Sequence, residues 1–174
     1  VIKIAVIGPE STGKSTLSAQ LAAHYATIWV REYAREYCSN LTAECTLEDE
    51  INMFHGQLAL ENEALAQLPN MLICDTTIIT VKVWCEHVFQ SCPDFVKEEI
   101  KSRRYDFYLL MDIDMPWEYD PLRDFPHLRD HFLSIYRSEI ENQAKPYQLI
   151  SGMGPARLNN AIKAIDNFLM HQKG

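Results

Sequence analysis

Positive charge is scarce in this sequence: 16 Lys and Arg stand against 24 Asp and Glu, giving a formal net charge of -8 and a pI near 5.2. A field of that sign repels phosphate backbones and anionic lipid, so neither nucleic acid nor a membrane surface is an expected partner. A small anionic ligand is not excluded, because a local pocket and its metal ion override the global field. Long apolar runs are also missing. No stretch approaches the roughly 18 residues of a membrane span, and no cationic segment leads into an apolar one as in an export signal. A cytoplasmic protein is expected. The five cysteines (Cys38, Cys45, Cys74, Cys85 and Cys92) are odd in number and form no C-x-x-C pair, as idle thiols in a reducing compartment would. No repeat, low-complexity segment or internal linker interrupts the 174 residues, and that length fits one domain with a core of its own.

What is present is an alternation of short apolar runs with longer helix-period stretches. Ile2 to Ile7 is β-branched and ends in a glycine, as a buried parallel strand would. Further strands are expected at Thr27–Val30, Met71–Cys74, Phe107–Met111 and Tyr147–Ile150. Helical patterns occupy Lys14–Tyr25, Leu47–Leu68, Thr80–Phe89, Asp94–Arg104, Arg129–Gln143 and Ala156–His171, the second of them opening on a Thr46 N-cap with acidic residues in its first turn. Strands alternating with helices predict an α/β fold: a three-layer P-loop NTPase with a parallel five-stranded sheet. Asp114 to His131, dense in proline, aromatics, Asp and Arg, reads as an ordered lid of about residues 114–131 within that single domain.

Gly8-Pro9-Glu10-Ser11-Thr12-Gly13-Lys14-Ser15 matches G-x-x-x-x-G-K-[ST], placed between a predicted strand and a predicted helix. Glycines at its two ends let the backbone fold tightly enough for its N–H groups to face phosphate oxygens, and the helix start adds its positive end. Lys14 is expected on the β- and γ-phosphates of ATP, with the Ser15 hydroxyl on Mg²⁺. Asp75, at the end of an apolar strand, is the second candidate metal ligand or a contact for the substrate hydroxyl.

Two further patterns are missing. No N-K-x-D stretch reads guanine, and Thr76-Thr77 rather than a glutamate follows Asp75, which favours transfer to a bound acceptor over hydrolysis. Transfer needs a positioned hydroxyl, a proton acceptor and charge neutralisation. Arg31-Glu32-Tyr33-Ala34-Arg35 supplies a carboxylate flanked by guanidinium groups. Arg123 and Arg129 in the lid suit a γ-phosphate, and Trp84, Trp117 and Tyr119 are candidate ring platforms. Ser151 to Arg157 either wraps the adenine or is only a turn into the last helix.

The P-loop block through Thr16-Leu17, the Arg31–Arg35 block, Cys74-Asp75-Thr76-Thr77 with Thr80 and Trp84, and Asp114-Met115-Pro116-Trp117 with Asp120 and Arg123 together resemble the ribosylnicotinamide kinase domain of the NadR family. The likeness spans Ile2 to about Ile150; it departs where Pro121 follows Asp120, a position usually glycine in the family. It implies an adenylate- or nucleoside-kinase-like fold with a lid. It also implies ATP-dependent phosphorylation of nicotinamide riboside to nicotinamide mononucleotide in NAD salvage, with fusion to other NAD-biosynthesis domains in a longer polypeptide. Under that resemblance Gly8, Glu10, Ser11, Thr12, Gly13, Lys14, Ser15, Thr16 and Arg129 hold ATP, and Ser15 and Asp75 organise Mg²⁺. Lys14, Glu32, Asp75 and Arg123 are catalytic, and Glu32 or Asp75 takes the hydroxyl proton, with Glu32 favoured. Arg31, Tyr33, Trp84, Trp117, Tyr119 and Asp120 face the substrate, Trp84 and Tyr119 sandwiching its ring. The alternatives are a kinase for another nucleoside or small alcohol, and an ATP-binding regulatory module that transfers nothing.

Overall fold

A computed structural model describes residues 1–172. Five strands, β1 (Ile2–Ile7), β2 (Ile28–Val30), β3 (Met71–Asp75), β4 (Phe107–Met111) and β5 (Tyr147–Ile150), form one sheet in the order β2-β3-β1-β4-β5. Every pairing is parallel, and the β1–β3 register sets Val6 beside Asp75. Among the described residues seven α-helices connect them: α1 (Lys14–His24), α2 (Tyr33–Ser39), α3 (Leu47–Ala66), α4 (Ile78–Phe89), α5 (Asp94–Ser102), α6 (Arg129–Asn142) and α7 (Pro155–His171).

The strand sequences dictate the layering. Alternate residues of a strand point to opposite faces, so Ala5, Ile7, Leu72, Cys74, Tyr108 and Leu110 pack on one side with α3 to α6. Ile4, Val6, Ile73, Leu109 and Met111 pack on the other with α1 and α7. Both faces are apolar because both are covered, as in parallel sheets generally. The P-loop fold with its five-stranded parallel sheet is as the sequence predicts.

Element ends differ from the expected ones by at most two residues. β3 runs on to include Asp75. α4 starts at Ile78 because the Thr77 hydroxyl caps it, accepting from the Ile79 N–H at 3.2 Å. α3 stops at Ala66, and Leu68 beyond it takes a left-handed conformation with its side chain exposed. One helix, α2, was not expected: it has seven residues, none of them buried, so no apolar stripe announces it. The irregular stretch after β4 ends at Phe125, a 3-10 turn over Pro126–Leu128 follows, and Arg129 already belongs to α6.

Candidate active site

The P-loop hangs between the end of β1 and the start of α1. Gly8 has φ 147°, and a Cβ there would lie 3.0 Å from the Met111 carbonyl oxygen, so β4 leaves room only for glycine. Gly13 has φ 78° and caps α1, accepting from the Leu17 N–H at 3.0 Å. The Thr12 hydroxyl and the Lys14 ammonium both donate to the Pro9 carbonyl, at 2.8 and 2.7 Å, which curls the loop around its own centre. Its amides thus sit at the positive end of a helix, an arrangement that binds phosphate.

One open cavity of about 960 Å³ begins at this loop, and Glu10 through Thr16 line its floor. Asp75 stands beside it, 1% exposed, and its Oδ1 is buried without a hydrogen-bond partner. Burial lifts the Asp75 carboxyl to about 6, while the Ser15 hydroxyl and the Lys14 charge pull the other way. A buried carboxylate oxygen with no donor is costly unless a cation satisfies it. Together with the Ser15 hydroxyl it is an all-oxygen donor set that fits Mg²⁺, which takes one or two protein oxygens and completes its shell with phosphates and water. Among the described residues no group of three His, Cys, Asp or Glu offers a fuller protein cage.

Glu32 ends the β2 loop as the N-cap of α2 and lines the same cavity. Gln57 of α3, 3% exposed, holds the backbone on both sides of it: its Oε1 accepts from the Tyr33 N–H at 2.9 Å and its Nε2 donates to the Arg31 carbonyl at 3.2 Å. Nothing in the sequence marked Gln57, since one glutamine in a helical pattern carries no signal.

The lid segment lies on the P-loop. Glu10 Oε2 accepts from the Asp124 N–H at 2.9 Å, and Ser11 Oγ accepts from the Glu118 N–H at 2.9 Å. Burial pushes the Glu10 carboxyl up to about 7, against the opposing pull of the Asp124 N–H and the Lys14 charge. Arg123 donates to the Glu118 carbonyl at 2.8 Å and lines the cavity. Asp120 pairs with Arg35 at 2.9 Å, joining the lid to α2. The Leu122 N–H, then the Arg35 guanidinium, hold its carboxyl below the usual range. Pro121 is absorbed here: the Arg123 N–H donates to the Asp120 carbonyl at 3.0 Å, a tight turn with proline at its second position.

Several expected contacts do not form. Tyr119 is 85% exposed and Trp117 does not line the cavity, so no Trp84–Tyr119 sandwich exists. Trp84 does line it, but stacks on Phe125 at 5.8 Å. Tyr33 lies outside because its ring packs on Gly56, where a Cβ would come within 2.1 Å of it. Exposed Arg31 lies over the Trp29 ring at 5.7 Å. Arg129 braces the loops from behind the cavity, donating to the carbonyls of Met115 at 2.9 Å and Ser11 at 3.3 Å. The Ser151–Pro155 segment is a turn: Ser151 donates to Asp112 and the Gly152 N–H to Asp114, and none of it lines the cavity.

Arg157, marked by the sequence only as the end of the Ser151–Arg157 segment, is the principal brace. It is 4% exposed and donates to the carbonyls of Thr12 (3.3 Å), Ile150 (2.7 Å) and Asp112 (2.7 Å), with Asp114 at 3.1 Å as its counter-ion. It ties the P-loop to the ends of β4 and β5.

A family model described as an AAA domain matches residues 3–157. No curated protein matches the sequence. Among solved structures, the NadR protein in complex with NAD and AMP-PNP superposes with a TM-score of 0.78 at 23% identity, over 96% of this chain and 49% of that one. The NadR protein in complex with NR gives 0.81 at 22% identity, over 96% and 50%. This chain thus spans about half the length of those NadR chains. Thymidylate kinase from Ehrlichia chaffeensis follows at 0.68 and 12% identity, over 95% of this chain and 97% of that one. Deoxyadenosine kinase from M. mycoides with bound dATP gives 0.63 at 14%, over 95% and 100%. These likenesses show a P-loop kinase fold, and the NadR structures that the four sequence blocks pointed to are among those sharing it. No helix among the described residues is long and apolar enough to cross a membrane.

Proposed function

The chain belongs to the AAA-domain family whose model it matches, and from that premise we propose that it transfers the γ-phosphoryl group of ATP to a hydroxyl of a nucleoside, with nicotinamide riboside the favoured acceptor. The observation that carries this reading is a pair of carboxylates at the P-loop: Asp75, buried next to Ser15 and Lys14 with an orphaned oxygen, and Glu32, on the cavity wall and clamped by Gln57. A hydrolase needs one group to orient water. An acceptor kinase needs two sites, one for the metal-bound nucleotide and one for a second molecule, and the cavity has room beyond the P-loop for both.

In this mechanism the loop amides and Lys14 hold the triphosphate, and Ser15 and Asp75 would hold Mg²⁺, which would supply positive charge against the phosphates. Glu32 accepts the proton of the acceptor hydroxyl as its oxygen bonds to the γ-phosphorus. The bond from that phosphorus to the bridging oxygen breaks, and ADP leaves with the electron pair. Arg123 and Arg35, both on the cavity wall, counter the charge on the moving phosphoryl group. The lid is held against the P-loop through Glu10 and Ser11, which keeps Arg123 on the cavity wall. The resemblance to the ribosylnicotinamide kinase domain selects the riboside among nucleosides.

The test is ADP release from Mg-ATP with and without nicotinamide riboside. Acceptor-dependent ADP is expected. ADP formed at the same rate without an acceptor would replace this reading with hydrolysis.

A further inference from the structure

The acidic first turn of α3 divides its labour. Asp49 is committed to the fold: it closes the capping box with Thr46 and accepts from the Tyr37 hydroxyl at 2.8 Å. Glu50 is not part of the cap. It is 7% exposed, yet it lines the cavity. Its hydrogen-bond partner among the described residues is the Cys45 thiol at 3.8 Å, a weak donor. The cavity it lines carries the apolar side chains of Met53, Val81, Trp84, Val88 and Phe89, and, as further acids, Glu32 and Glu44. A carboxylate set among such groups is costly unless a strong donor reaches it, and no protein cation is paired with it among the described residues. Burial lifts its carboxyl to about 7.

We propose that Glu50 reads the acceptor: its carboxylate accepts a hydrogen bond from an N–H group on the planar ring of a nucleoside lodged in this chamber, and it rejects rings that bear a carboxylate there. The inference rests on the nucleoside-kinase reading above and adds to it a selection rule. Apolar and aromatic walls accept any flat ring, so shape alone discriminates weakly. A single buried acceptor discriminates strongly, because a ring without the donor leaves the carboxylate unpaired and an anionic ring adds like-charge repulsion. A carboxamide or exocyclic amino group satisfies the rule; a carboxylate on the same ring does not.

Wild-type protein, Glu50→Gln and Glu50→Asp would be assayed with Mg-ATP and nicotinamide riboside, nicotinate riboside or adenosine, reading kcat and both KM values. Glutamine keeps an acceptor oxygen but loses the charge, so Glu50→Gln should raise KM for the N–H-bearing acceptor about 5–10-fold, with kcat and KM for ATP little changed. The same variant should narrow the preference for nicotinamide over nicotinate riboside, whereas Glu50→Asp should keep it. Glutamine matches glutamate in shape, and an unchanged KM for ATP certifies the fold. Calorimetric titration of each riboside into the ADP-bound protein separates the two readings. Binding that weakens in Glu50→Gln without turnover supports the inference while removing the kinase. Turnover or binding insensitive to Glu50→Gln, or binding by none of the three ribosides, overturns it.

Discussion

Replacing Arg157 by methionine keeps a long side chain but deletes a guanidinium that serves four partners. The outcome follows from asking which of those partners have a second donor. The Ile150 carbonyl also accepts from the Asp112 N–H at 3.0 Å, and Asp114 also accepts from the Gly152 N–H at 2.6 Å, so both stay satisfied. The carbonyls of Thr12 and Asp112 lose the donor that holds them. Each buried acceptor left unpaired costs about 1–3 kcal/mol, while removing a buried charge returns part of that. A net loss of about 3 kcal/mol is expected, which lowers Tm by roughly 6–12 °C in a domain of this size. Because one of the two carbonyls belongs to the P-loop, ATP affinity should fall as well. Arg157→Lys, a point charge without the planar fork, should lie between. Thermal melts with and without Mg-ATP read both effects. A Tm within 2 °C of wild type and undiminished nucleotide affinity would refute the bracing role.

Glu32→Gln should lower turnover by about 10²–10⁴-fold, the usual contribution of a positioned base, while ATP binding measured by titration stays the same; equal loss of both would reassign Glu32 to the fold. Gly56→Ala should push the Tyr33 ring away from α3, costing about 1–3 kcal/mol by overpacking and slowing phosphoryl transfer through the displaced Glu32; wild-type kinetics in this variant would uncouple α3 from the base. Stability should depend on pH through Glu10, whose carboxyl is lifted from 4.5 to about 7 in the folded state. A raised carboxyl pKa means the folded protein holds the proton longer than the unfolded chain. Stability is therefore full below about 4.5 and is lost as pH rises through 7, by at most about 3 kcal/mol. Glu10→Gln should remove that part of the slope in urea unfolding between pH 5 and pH 8, and an unchanged slope would contradict the burial argument.

Much of the fold was legible because its signals are local. A P-loop between a β-branched run and a helix pattern fixes β1 and α1, and the apolar runs ending in Cys74-Asp75 and Met111 mark strands covered on both faces. Lys14, Ser15, Glu32, Asp75 and Arg123 were visible as chemistry at element ends, where loops gather a site; four of them line the cavity, and Asp75 lies buried beside it. The supports were not visible. Gln57 sits mid-pattern in α3 and Arg157 in the first turn of α7, and their contacts with the loops of the site reach 26 and 145 residues away in sequence. Trp117 and Tyr119 misled for the opposite reason. Aromatics in a polar loop suggest a ligand, but the lid turns Tyr119 out to solvent and leaves Trp117 outside the cavity, near Arg129. Glu50 was hidden among acidic residues that explained themselves as a helix start.

The most direct test follows the phosphorus itself. Protein is incubated with ATP labelled at the γ-phosphate, Mg²⁺ and nicotinamide riboside, and the products are separated by charge and mass. Phosphoryl transfer predicts the label in a mononucleotide heavier than the riboside by one phosphoryl group, formed in step with ADP and nearly absent in Glu32→Gln. Label recovered only as inorganic phosphate, with the riboside unchanged, would contradict it.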